Sequence, residues 1–123
     1  MKTVNYEGKK HKVFTIKTEF GRYKAILVAE RYRHPETLAV ETLIVEDGCV
    51  EEPLATLTVN LDPYTGFGAQ DHESAYLDTN NCPWAAAFLK ENNLATDTGE
   101  KAHRGYCIFP LWRWNTAAFL AEE

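Results

Sequence analysis

Residues 78–105, DTNNCPWAAAFLKENNLATDTGEKAHRG, form the most distinctive run of the chain, and their reading decides the fold. Pro83 suits the first position of a helix, where the missing N–H would have had no partner anyway. From there Trp84, Ala87 and Phe88 fall on one helical face, with Lys90 and Glu91 towards water. The asparagines at 92 and 93 suit a helix end, and the polar run that follows, through Gly105, reads as a loop.

On both sides of this helix the periodicity switches to two. HKVFTIKTEF (11–20) sets Phe14, Ile16 and Phe20 against Val13, Thr15, Lys17 and Glu19, the pattern of a half-buried strand. GRYKAILVAERY follows at once, which places Gly21 near a hairpin turn. Pro35 in HPE (34–36) interrupts the β signal, because it lacks a ladder donor and pushes His34 towards extended backbone. ETLAVETLIVED resumes the signal, and Asp47-Gly48 is the clearest hairpin dipeptide in the chain. LATLTVNL is its returning partner, with Leu57, Val59 and Leu61 opposed to Thr56, Thr58 and Asn60. The aperiodic DPYTGFGAQDHES (62–74) reads as a long surface loop, and AYLD after it as a short strand. YCIFPLWRW is a last apolar strand in which Pro110 demands an edge position or a bulge. Asn115 then caps a short terminal helix. The sum predicts one α+β domain over residues 1–123: an antiparallel sheet of five or six strands, one main helix packed on a face, and a short C-terminal helix.

A chain of 123 residues buries a core without disulfides, and its three cysteines fit a reducing compartment. The N-terminal MKTVNYEGKKHKV has no apolar leader core, and no apolar run approaches a membrane span, so a cytoplasmic protein is expected. The net charge of −5 is unevenly spread. Nine Lys or Arg stand against three acids through His34, and four against fifteen thereafter. That acidity opposes direct nucleic-acid binding, despite the WRW at 112–114 and the Tyr23, Arg31, Tyr32 and Arg33 group. Trp112 and Trp114 are expected to share a strand face packed on the Trp84–Phe88 helix, leaving Arg113 outward.

Cys82 is the chief chemical candidate, since a helix N-terminus favours a thiolate. His103 or His72 could serve as its base, with Asp78 or Asn80 to orient that base. CPW opens like a thioredoxin-type motif, but Ala85 stands where the second cysteine belongs, so dithiol chemistry is absent. His103, Cys107, Cys82 and His72 could be drawn as a zinc site, yet no tight ligand pair supports it and no metal is expected. Phosphate-loop, dinucleotide and nucleophile-elbow motifs are missing, so no cofactor is expected either. The simplest reading makes Cys82 a buried residue at the start of a helix anchored by Trp84 and Phe88. The carboxylates along strands and loops offer a different function. Glu51, Glu52, Asp62, Asp71 and Glu73 could present phosphate-like charge to a basic groove on a protein partner.

LTVNL, then AYLDTNNCPWAAAFLKENNLATDTG, then GYCIFPLWRWN together resemble a family of short bacterial proteins, the domain of unknown function numbered 4313. The similarity is specific from about Leu57 to Phe119, while the first fifty or so residues match only in strand character. The resemblance implies an accessory protein of plasmids, conjugative elements and prophages. Compact acidic inhibitors of CRISPR–Cas or restriction nucleases are a recurring type in that setting. The expectation is therefore a non-catalytic protein-binding protein, monomeric or homodimeric, to be sought first among inhibitors of CRISPR–Cas or restriction nucleases. The alternatives are a cysteine enzyme built on Cys82 and His103, and a structural or regulatory partner in conjugation.

Overall fold

The computed structural model describes residues 2–32, 37–61 and 73–121, so the expected breaks at 34–36 and the body of the 62–74 loop lie outside the described residues. In chain order the strands are β1 (Thr3–Tyr6), β2 (Lys9–Lys12), β3 (Phe14–Thr18), β4 (Gly21–Arg31), β5 (Leu38–Glu46), β6 (Cys49–Thr56), β7 (Thr58–Val59) and β8 (Ser74–Leu77). Helix α1 (Ala85–Glu91) follows, then β9 (Ala95–Arg104), β10 (Cys107–Trp114) and a 3-10 helix at Thr116–Phe119. The strands form a two-stranded sheet β1-β2 and two four-stranded sheets, β3-β4-β5-β6 and β7-β8-β10-β9.

This mostly-β architecture corrects the α+β expectation of one five- or six-stranded sheet carrying a main helix. Two local facts account for the difference. First, the strand that returns from Asp47-Gly48 does not stay in one sheet. The Leu57 amide donates to the Val40 carbonyl of β5 at 2.8 Å, while the Leu57 carbonyl accepts from the Asp78 amide just past β8 at 2.8 Å. The chain thus changes sheets at Leu57. Second, residues 95–104, expected as a loop, are a ten-residue strand. Only Ala95 and Ala102 are buried there, so a sheet-edge strand with both faces wet carries no apolar alternation to read. The C-terminal helix shrinks likewise to a single 3-10 segment, and Asn115 makes no side-chain cap hydrogen bond.

The hairpins follow their turn chemistry. Glu46 pairs with Cys49 across Asp47-Gly48, where φ is +50° and +76°, the positive pair that a two-residue turn matching strand twist requires. Glu7-Gly8 repeats this geometry between β1 and β2. Between β3 and β4, Glu19-Phe20 is the turn, so Phe20 stands 83% exposed instead of sharing the buried face of Ile16. Pro110 sits in β10, an interior strand and not an edge. Pairing with β8 begins one residue later at Leu111, and the β9 register shifts between Pro110 and Trp112, so the missing donor falls at a bulge.

Ala25 to Val28 are all buried because the β3–β6 sheet is covered on both sides. Leu27, Leu38 and Val40 join Ala75, Leu77, Phe88, Trp112 and Trp114 in the main core between the two large sheets and α1. Ile26, Val28 and Leu43 face Val4 of the β1–β2 hairpin. Helix α1 buries Ala85, Phe88 and Leu89, whereas Ala87 points to water. The Phe88 ring meets Phe14 edge-on at 5.8 Å. Trp112 and Trp114 are buried, and Arg113 points outward to pair with Glu73 at 2.9 Å.

Candidate functional site

Cys82 lies three residues before α1, whose N-cap is Trp84, and its thiol is therefore not at the helix terminus. Asp78 organises this turn: its carboxylate accepts from the Asn81 amide at 3.3 Å and from the Asn81 side chain at 2.9 Å, and its carbonyl accepts from Cys82 N–H at 2.9 Å. The thiol itself is 2% exposed and donates to the Thr56 carbonyl at 3.8 Å. Burial first, then the charges of Asp78 and Glu19, push it up from 9.0 to about 11. A nucleophilic cysteine needs the opposite shift. His103 is exposed on β9, opposite Ile108 of β10, and no hydrogen bond joins it to Cys82. His72, the other proposed base, lies outside the described residues. Cys49 is exposed and Cys107 half-buried, and all three cysteines are free. Among the described residues no group of three or more His, Cys, Asp or Glu side chains is placed to hold a metal ion.

Of the acidic candidates, Glu51 and Glu52 are exposed neighbours on β6, the edge strand of its sheet. Glu73 immediately precedes β8 in the other large sheet, where it holds Arg113. Asp62 and Asp71 fall outside the described residues. The fold also assembles a carboxylate group that charge counting along the chain does not reveal. Glu30 of β4 has its carboxyl raised above the ordinary range by desolvation, then by Glu41 of β5 and by Glu7 of the first hairpin turn. The Tyr6 phenol beside them is raised as well, by desolvation and then by Glu7, Glu30 and Glu41. Glu7 and Glu30 belong to the basic part of the sequence, and only folding brings them to Glu41. Cross-strand register explains it: Val28 opposes Glu41 and Ala39 opposes Glu30, so the two carboxylates are diagonal neighbours on one sheet face.

His11 is the histidine the fold buries, at 5% exposure. Its Nδ1 donates to the Leu27 carbonyl at 3.2 Å, and its ring meets Tyr6 edge-on at 6.0 Å. It fastens the first hairpin to β4. Its neighbours Lys9, Lys10 and Lys12 give no sequence signal of burial.

The chain belongs to the family described as a domain of unknown function, DUF4313, which matches residues 26–120. The match begins about thirty residues earlier than the residues that carried the resemblance, and so takes in the second half of β4 with β5 and β6 as well as the Cys82 region. No curated protein and no solved structure matches the chain. No helix among the described residues is long and apolar enough to cross a membrane.

Proposed function

We infer that this protein is a non-catalytic binding module that engages a basic surface of a protein partner through the Glu7, Glu30 and Glu41 group and the acidic edge strand β6. The observation that carries this reading is the Glu7, Glu30 and Glu41 group. Desolvation, then the like charges of Glu41 and Glu7, raise the Glu30 carboxyl, and a basic partner surface would complement this group. The β6 edge of the same sheet adds Glu51 and Glu52. A basic nucleic-acid groove is the natural counterpart, which makes a CRISPR–Cas or restriction nuclease the favoured partner, and a mobile element the favoured genetic setting. The cysteine-enzyme alternative draws no support from a buried thiol held at about 11.

The test is capture from a lysate of a bacterial host carrying defence systems, using wild type and a Glu30→Lys/Glu41→Lys/Glu51→Lys/Glu52→Lys variant of matched far-UV circular dichroism. Wild type should retain a nuclease that added DNA competes away, and the variant should not. Equal retention by both proteins would sink the acidic-surface reading.

A further inference from the structure

Strand β4 outruns one of its neighbours. β3 pairs with it only as far as Ala25, while β5 follows it on the other side to Arg31. Backbone groups alternate between the two edges of a strand. The Tyr32 N–H points to the β5 side, where it donates to the Thr37 carbonyl at 2.9 Å, and the Leu27 carbonyl points the other way, to His11. Ala29 shares the direction of Leu27, and among the described residues no main chain pairs with it there. β2 packs against this side of β4 through His11, but both of its own edges are taken. One pairs with β1, and the other holds the C-terminal segment through the His11–Leu120 bridge and the bond from the Ala121 N–H to the Lys10 carbonyl.

The open edge borders a cavity of about 260 Å³, walled by Leu27, Val28 and Ala29, by His11, and by Phe119 and Leu120. That volume falls below the roughly 300–1,000 Å³ of drug-sized sites and suits a residue of an extended chain. His11 is 5% exposed, and its Nδ1 is spent on the Leu27 carbonyl, so Nε2 is the acceptor of the ring. Nε2 makes no hydrogen bond among the described residues and is not sealed from solvent. Tyr6, Glu7 and Lys9 also line the cavity, and Glu7 acts on Glu30, the residue after Ala29, together with Glu41. Three carboxylates against one lysine favour a cationic occupant.

We propose that an extended segment of the protein partner adds to the β4 edge at this cavity. Its carbonyl accepts from the Ala29 N–H, one of its N–H groups donates to His11 Nε2, and an Arg or Lys side chain meets Glu7, Glu30 and Glu41. The proposal rests on the acidic-surface reading and adds main-chain pairing to it.

Proton–nitrogen correlation spectra of the full chain provide the readout, with acetyl-Val-Arg-Val-amide as the probe. Acetyl-Val-Glu-Val-amide controls for backbone pairing without the cation, and ethylguanidinium for the cation without a backbone. The Arg peptide should shift the Ala29 amide and the His11 Nε2 signal saturably, slow exchange of the Ala29 amide, and bind about tenfold or more tightly than either control. Ala29→Pro removes the edge donor and leaves the β5 ladder intact, so it should weaken the Arg peptide by about tenfold and leave ethylguanidinium unchanged. If that variant does not fold, the backbone N-methylated Arg peptide replaces it and should bind wild type about tenfold more weakly. An Ala29 amide that the Arg peptide leaves unmoved overturns the proposal. Ethylguanidinium binding as tightly as the Arg peptide overturns the pairing and leaves the acidic-surface reading standing. Equal binding of the Arg and Glu peptides overturns the proposal and the acidic-surface reading beneath it.

Discussion

The Leu57 amide reaches the Val40 carbonyl at 2.8 Å, and this bond marks the place where one strand leaves the β3–β6 sheet for the other large sheet. Leu57 is fully buried in the core between the sheets. Leu57→Ala should therefore cost about 2–5 kcal/mol, the range for emptying a leucine site in a packed core. Urea denaturation checks this, and a loss under about 1 kcal/mol would mean that the sheets do not depend on this junction.

Gly48 tests the turn by itself. Its φ is +76°, and a Cβ there would meet nothing within 4 Å, so a substitution suffers from backbone conformation alone. Gly48→Ala should destabilise by about 1–2 kcal/mol. A neutral result in thermal unfolding would show that the β5–β6 hairpin has another turn conformation open to it.

Cys82 makes stability fall at alkaline pH. The fold holds its thiol neutral, and a pKa raised on folding contributes stability that is complete below the ordinary 9.0 and is lost as pH rises towards about 11. Cys82→Ala should unfold at lower urea concentration at about pH 8, and should lose less between about pH 8 and pH 10 than wild type does. Thiol labelling of the folded protein should proceed in the order Cys49, Cys107, Cys82, following exposure. Early labelling of Cys82 would contradict its burial.

Glu41→Gln should bring the Glu30 carboxyl down towards its ordinary 4.5 by removing one of the two charges that raise it. A raised carboxyl binds its proton more tightly in the folded state, so this part of the stability grows as pH falls and is least at neutral pH. The variant should be marginally more stable than wild type at pH 7, by up to about 0.5 kcal/mol as expected of a surface change. Carbon-detected titration of the glutamate carboxyls and a melting curve check both halves. A drop in stability would mean that Glu41 is held by favourable contacts, such as the one from the Thr56 hydroxyl at 3.4 Å.

The sequence by itself determined the features that rest on local chemistry. Asp47-Gly48 specified a turn with two positive φ values, CPW followed by three alanines specified a helix after a buried cysteine, and the alternation in LWRW set Trp112 and Trp114 inward with Arg113 out. What only the tertiary structure decided was pairing. Apolar alternation reports which residues are buried, not which strand lies alongside, and it is silent for a strand wet on both faces, so residues 95–104 left no trace of their sheet. The division between the two four-stranded sheets turns on backbone bonds at Leu57, to which side-chain pattern is blind. The meeting of Glu7, Glu30 and Glu41 has the same origin: residues far apart in the chain become neighbours only when the first hairpin and the β4–β5 register are in place.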